Sequence, residues 1–288
     1  MQNRHAIDGL TFEPMTGLTG AEVSGVDLSR PISPERAAAL REGLARHLVL
    51  VFRDQKLDMP AQKRVTEVFG PVQRVPYVEP SKEDPDVIAV LKEADETGIS
   101  VFGGDWHSDF SFLPKPPAGS VLNAVEVPPY GGDTLWANQI AAWEHLPDEL
   151  RERVGELGAV HTGAPYGANN APPPDLAVSR SIRMARGDPD ADRETVHPVG
   201  RLHGPSGRRA LFVNPIYTRR LEGMSESEST PLLDRLFRHA TRPEFTCRLR
   251  WQAGTVAVWD NRATLHYAIN DYDGWRRLLY RTTFADRD

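Results

Sequence analysis

The sequence predicts a mainly β protein with flanking helices, a β-sandwich or jelly roll. Three observations point there. Short runs of β-branched and aromatic residues fill the last third of the chain. Only a few segments carry a helical period. Neither a phosphate-binding glycine loop, nor a dinucleotide glycine fingerprint, nor an internal repeat interrupts them. Sandwiches and barrels often reach 288 residues as one unit, so residues 1–288 are expected to form a single domain.

The bulk numbers narrow the function classes. With 40% hydrophobic and 26% charged residues, the chain has the balance of a soluble globular protein with a core of useful size. A net charge of −6 gives no basic footprint, so no nucleic-acid partner is expected. Cys247 is the only cysteine, which excludes an internal disulfide and a thiolate metal cage and suits a reducing cytoplasm. The opening MQNRHAIDGLTFEP lacks the apolar core of a signal peptide. No run of about 18 apolar residues occurs, so no membrane span is expected. The expected location is cytoplasmic.

The elements follow in order. GLTFEPMTGLTGAEVSGVDL reads as short strands and turns. SPERAAALREGLARHL reads as a helix: Ser33 can cap it, Pro34 suits its first turn, and Leu40, Leu44 and Leu48 share one face. VLVFRDQ is a strand, and PAQKRVTEVFG a short helix ending at Gly70. Residues 71–105 hold prolines, charges and one strand-like run, DVIAVL. GSVLNAVEVPP alternates as a strand, and AAWEHLPDELRERVGEL is helical with a break at Pro147. Residues 163–195 have no long period and many Gly, Pro and Asp; a loop of that length is either a lid or a surface insertion. TVHPVGRLH, RRALFVN, EFTCRLRW, TVAVWDN and RRLLYRTTF return to β patterning. One helix, SESESTPLLDRLFRHA, interrupts them, with Ser225 and Glu228 placed as a capping box.

Inside this pattern, WHSDFSF sets His107 and Asp109 two residues apart among aromatics. They could hydrogen-bond each other at a strand end. On a strand, residues i and i+2 also face one side, so the two could converge on a metal. Of the remaining histidines, His266 stands out, following the turn-like WDN and preceding an Arg-bearing strand. Two imidazoles and a carboxylate on one face of an ion are the ligand set of non-heme Fe(II) oxygenases, with open positions for a 2-oxoacid and dioxygen. Such an enzyme must also hold the far carboxylate of 2-oxoglutarate, which the planar fork of arginine does best. Arg277 and Arg281 lie four apart on a predicted strand, hence on one face; their other reading is a pair of surface arginines.

WHSDFSF, GGDTLWAN, VWDNRATLHYAINDY and RRLLYRTT, in that order and spacing, resemble the TauD/TfdA family of Fe(II)- and 2-oxoglutarate-dependent dioxygenases. The likeness runs from GAEVSGVDLSRP to RTTF, nearly the whole chain. It implies a double-stranded β-helix, a cupin-like jelly roll. It implies His107, Asp109 and His266 as iron ligands, and Thr134 and Arg277 on the 2-oxoglutarate carboxylate. Trp259 would line the cosubstrate pocket, Arg281 would meet the substrate's anion, and Tyr217 would be an aromatic of the substrate pocket. The implied reaction hydroxylates a C–H of a small carboxylate, sulfonate or sulfate, giving succinate and CO2, and can cleave an adjacent carbon–heteroatom bond.

Two positions depart from members that take taurine. Val75 stands where they place a substrate-binding histidine, and Gly103 where they place a side-chain amide. FGPV, GDPDADRETVHP, RRLEGMSESES and HATRPEFTCRLRW look more like the branch that includes (R)-2-aryloxypropionate dioxygenases, which accept bulkier, more apolar acids. Val75, Tyr77, Val78, Phe102 and Tyr217 would suit such a pocket, or could be ordinary core. The resemblance leaves a dimer or tetramer open. A zinc-type hydrolase or isomerase could use the same three ligands without needing Arg277 and Thr134. A non-catalytic ligand-binding jelly roll would need no metal.

Overall fold

The computed structural model describes residues 4–98, 102–170 and 181–287. The N-terminal segment forms strands β1 (His5–Ile7), β2 (Leu10–Pro14) and β3 (Ala21–Ser24), helix α1 (Pro34–His47), strand β4 (Val49–Phe52) and helix α2 (Met59–Phe69). The middle holds β5 (Ile88–Lys92), β6 (Gly119–Glu126), β7 (Thr134–Asn138), α3 (Gln139–Glu144), α4 (Asp148–Val154) and β8 (Gly158–His161). The last part holds β9 (Thr195–Pro198), β10 (Gly200–His203), β11 (Arg208–Leu211), β12 (Thr218–Leu221), α5 (Glu226–Ala240), β13 (Thr246–Leu249), β14 (Val256–Asp260), β15 (Thr264–Ala268) and β16 (Arg277–Phe284). The fold is mainly β with a few helices. No described helix is long and apolar enough to cross a membrane.

Local chemistry sets the helix ends. The Ser33 hydroxyl accepts from the Arg36 amide at the start of α1, and Leu48, in the left-handed region at φ 65°, ends it. Ser225 and Glu228 form the expected capping box on α5. Gly43 lets α1 lie against the ring of Phe12: a Cβ there would stand 2.2 Å from Phe12 Cε1.

Strands assemble into one large sheet, in the order β1-β2-β3-β4-β14-β6-β16-β5, and a small one, β13-β7-β15. A second three-stranded sheet, β12-β8-β9, and the hairpin β10-β11 complete the set. The two-residue period of a strand divides the core. Leu50, Phe52, Val256 and Val258 pack with Leu40, Leu44, Val65 and Phe69 of α1 and α2. Their alternates Val49, Val51, Ala257 and Trp259 pack with Trp136, Cys247 and Leu249 of the small sheet. Central strands β4 and β14 are buried on both faces, which is why they read as unbroken apolar runs. The site lies on the inner side, where large and small sheets meet.

β7, β8, β12 and β15 carry no strand prediction of their own. Each is four or five residues long, too short for an alternation to show. Of the loop at 163–195, residues 171–180 lie outside the described residues. Two short 3₁₀ turns, Ala164–Tyr166 and Ala168–Asn170, open it and a third, Pro189–Asp192, leads into β9.

Candidate active site

His107 and Asp109 do not share a strand, contrary to the expectation from their spacing. Outside its neighbours, His107 makes one antiparallel bridge to His266 on β15. The two residues exchange both backbone hydrogen bonds, at 3.1 and 2.8 Å. The chain then turns, with Phe110 in the left-handed region at φ 49°, and the turn rather than strand alternation delivers Asp109. All three side chains are buried.

Their ligand atoms converge. Nε2 of His107 and Nε2 of His266 each stand 3.7 Å from Asp109 Oδ1, and one ligand atom from each residue lies within 4.8 Å of the others. That gap is too long for a hydrogen bond. It suits atoms sharing one ion, since two donors about 2.1 Å from a metal sit roughly 3–3.7 Å apart at ordinary coordination angles. The Asp105 carbonyl lies 2.7 Å from His107 Nδ1 and so favours a proton there, leaving the Nε2 lone pair toward the cluster. Burial, and then His107, push the pKa of His266 well below that of an ordinary histidine. Burial opposes ionisation of Asp109, but Arg281 and then the imidazoles outweigh it and hold its carboxyl below the usual carboxylate range. At neutral pH the cluster thus offers a neutral His266 imidazole and a carboxylate, the protonation states a cation needs from its ligands.

The far oxygen of Asp109 is occupied by protein. Ser120 on β6 donates to Oδ2 at 3.1 Å, and Arg281 Nη2 lies 2.8 Å from it. Arg281 therefore has an internal partner, the carboxylate of Asp109. Arg277 and Arg281 do share the inner face of β16, both buried. Arg277 has no ion-pair partner among the described residues, and its Nε has no hydrogen-bond partner. Its guanidinium carbon sits 5.9 Å from the Trp251 ring centre and 5.8 Å from that of Tyr272. Burial lowers its pKa, opposed by Tyr272 and Asp133. Gly132, at φ 68°, lays bare backbone along this arginine, where a Cβ would come within 3.1 Å of its Cδ and Nε. Thr134 is buried nearby, and its hydroxyl accepts from Trp251 Nε1 at 2.9 Å. The Trp259 ring lies 5.0 Å from that of His266.

A cavity of about 390 Å³ opens over His107 and Asp109. Phe102 and Tyr217 line it, as expected, together with Phe110, Tyr166, Met184 and Ile216. Val75 and Val78 lie one layer away, lining a smaller cavity of about 80 Å³ beside Arg281. Tyr77 stacks on Tyr166 at 5.0 Å instead of reaching the cavity wall. All five expected apolar residues belong to one hydrophobic cluster. Gly103, at φ 79°, also lines the cavity; a Cβ there would approach His107 Cε1 to 3.2 Å, so no side chain crowds the imidazole from that side. Sequence reasoning missed Arg186, an exposed cavity-lining arginine of the long loop that makes no hydrogen bond or ion pair among the described residues. It also missed Ser120, which only the fold brings to Asp109.

Two imidazoles and one carboxylate on a β scaffold, with room beside them, define the site of a non-heme iron oxygenase. The comparisons agree. Residues 11–283 match the family model described as taurine catabolism dioxygenase TauD, TfdA family. An alpha-ketoglutarate-dependent sulfate ester dioxygenase of Pseudomonas putida is 37% identical, covering 98% of this chain and 91% of its own length. An alkylsulfatase of Acinetobacter baylyi is 35% identical, covering 96% and 85%. The crystal structure of a taurine dioxygenase from Burkholderia xenovorans superposes with a TM-score of 0.79 at 34% identity, over 97% of this chain and 92% of that one. The chain belongs to the TauD/TfdA family and is an Fe(II)- and 2-oxoglutarate-dependent dioxygenase that uses O2.

Proposed function

We propose that this dioxygenase oxidises an organic sulfate ester with an apolar tail and so releases sulfate. The observation that carries it is the metal-ligand cluster at the floor of a cavity whose walls are mostly aromatic and aliphatic. The names of the P. putida and A. baylyi relatives support the sulfate ester.

Bound iron, with 2-oxoglutarate and dioxygen, supplies the oxidant that places a hydroxyl on a substrate carbon, giving succinate and CO2. The chain's own residues position the partners. Arg277 pairs its fork with the distal carboxylate of 2-oxoglutarate, a charge-assisted contact in a dry corner, and the Thr134 hydroxyl adds a donor to the same group. The unpartnered Nε of Arg277 supports this over a hydrolase, which would have no use for a buried cation there. Trp259 closes the cosubstrate side. Arg281, beside Asp109, draws the substrate's anionic head toward the metal, and Arg186 adds a second positive charge at the cavity. Phe102, Phe110 and Tyr217 strip water from the tail. Hydroxylation of the carbon bearing the ester oxygen gives a hemiacetal sulfate. Its C–O bond to sulfate breaks as the hydroxyl proton leaves, so the products are an aldehyde and sulfate. We further infer that the large and small sheets are the two halves of a double-stranded β-helix, and that the loop at 163–195 serves as the cavity's lid.

The test is a panel of alkyl sulfates, alkylsulfonates and aryloxy acids, assayed in air with Fe(II) and 2-oxoglutarate. An alkyl sulfate should stimulate succinate formation and release one sulfate per succinate. Sulfate release without oxygen would show a hydrolase. No stimulation by any alkyl sulfate, with a sulfonate or aryloxy acid active instead, would overturn the sulfate-ester assignment.

A further inference from the structure

The two oxygens of Asp109 have different environments. Oδ1 faces both Nε2 atoms, while Oδ2 meets the Ser120 hydroxyl and Arg281. Ser120 is itself held. Asn261 Nδ2 donates to Ser120 Oγ at 3.4 Å, and Trp259 Nε1 donates to Asn261 Oδ1 at 2.7 Å. The Ser108 hydroxyl, one residue from each of the two ligands in its segment, donates to the Asn261 carbonyl at 2.6 Å. Ser108, Ser120, Asn261 and Trp259 are all buried. A run of hydrogen bonds thus leads from the ring beside His266 to Asp109 Oδ2.

We propose that Ser120, oriented by Asn261 and Trp259, is a positioning residue that makes Asp109 a one-oxygen ligand of the metal. A carboxylate free to rotate can present both oxygens to an ion and take a second coordination position. With Oδ2 engaged by a hydroxyl and a guanidinium, rotation breaks both contacts, so Oδ1 alone is offered and the extra position stays open. The direction of donation matters. Ser120 gives its proton to Asp109 and therefore accepts from Asn261; the Asn261 amide, in turn, accepts from the indole, which can only donate. Each member has one usable orientation, and that fixes the chain as a unit. Partners one step behind a metal ligand commonly set its orientation, and their loss costs roughly 10- to 100-fold in metal affinity. The inference rests on the metal-site reading above.

The experiment uses Co(II) as the probe, since its visible absorption reports coordination number and geometry. Ser120→Ala should bind Co(II) roughly 10- to 100-fold more weakly. Its visible bands should lose intensity, as expected on going to higher coordination. The melting temperature of its metal-free form should stay close to that of the parent. Ser120→Thr, which keeps the hydroxyl, should restore the bands. Asn261→Ala should change the spectrum in the same direction by a smaller amount, and this variant stands in if Ser120→Ala does not fold. Parental spectra in both alanine variants would overturn the proposal, as would a Ser120→Thr spectrum no closer to the parent than that of Ser120→Ala. Failure of the parent protein itself to bind Co(II) would sink the metal site, not merely the positioning chain.

Discussion

Arg277 is a buried cation near the Trp251 and Tyr272 rings with its Nε unpartnered. Removing it should weaken 2-oxoglutarate while leaving the metal ligands alone. Loss of one partner from a desolvated charge pair costs roughly 2–5 kcal/mol, so Arg277→Ala should lose tens- to thousands-fold in 2-oxoglutarate affinity. Titration in the presence of Mn(II) checks this, and an unchanged affinity would assign the cosubstrate to another cation. Arg281 differs, because its Nη2 already lies 2.8 Å from Asp109. Arg281→Gln keeps an N–H donor for Asp109 but loses the charge, so it should abolish substrate-stimulated turnover yet keep slow succinate formation without substrate. Arg186→Gln should raise the substrate KM several-fold and leave kcat nearly unchanged, the scale expected of an exposed charge. If Arg281→Gln weakened only the metal and Arg186→Gln abolished stimulation, the anion would belong to Arg186. At this scale the sequence was partly legible. His107, Asp109, His266, Arg277 and Arg281 carry chemistry that residue type and spacing reveal. Ser120 and Arg186 do not, because nothing local distinguishes a strand serine facing a carboxylate from one facing a backbone.

Elements were legible where their ends are local chemistry. Ser33 with Pro34, and Ser225 with Glu228, announce helix starts within four residues of sequence. β7 and β15 were not, since a five-residue strand is defined by its partner's register rather than by its own pattern. The same limit explains the misreading of His107 and Asp109 as strand neighbours. Two residues of spacing fit a strand or a bridge followed by a turn, and only pairing with β15 decides. Gly43 makes a test at this scale. In mid-helix, glycine costs about 1 kcal/mol relative to alanine, so alanine there would ordinarily stabilise. Against the Phe12 ring an added methyl has no room, and overpacking costs roughly 1–3 kcal/mol. Gly43→Ala should therefore destabilise by about 1 kcal/mol in chemical denaturation, and a more stable variant would show that α1 can shift away.

For the whole molecule, buried histidines weaken the fold in acid, His161 and His47 among them. Burial first, then His197, lowers the pKa of His161 to about 3. Burial first, then His5, lowers that of His47 to about 4. Unfolded, each titrates near 6.5. Between those values the unfolded chain binds protons that the folded chain refuses, so stability is complete above pH 6.5 and falls as pH falls. Each histidine removes up to about 1.4 kcal/mol per pH unit in that window. Denaturant midpoints at pH 7.5 and 5.0 check the slope. Equal midpoints would mean that the folded chain takes up as many protons as the unfolded chain over this range, against the burial of both rings. The overall architecture was legible as mainly β because β4 and β14, buried on both faces, announce themselves as apolar runs. The split into a large and a small sheet was not, since it depends on which strands pair.

The bridge between His107 and His266 has a consequence for how the protein lives and dies. Its two partners come from opposite halves of the chain, joined directly by two backbone hydrogen bonds, and a metal held by the cluster would join their side chains as well. A bound metal would thus be a clasp on a very long loop, absent from the unfolded chain, and its binding energy would become resistance to unfolding. At a free-metal concentration a hundred times the dissociation constant this amounts to about 2.7 kcal/mol. Mn(II) should raise the melting temperature by several degrees and a chelator should cancel the rise, whereas Asp109→Ala should be indifferent to both. An enzyme starved of iron would then be lost to proteolysis as well as idle, and its abundance would follow the metal supply.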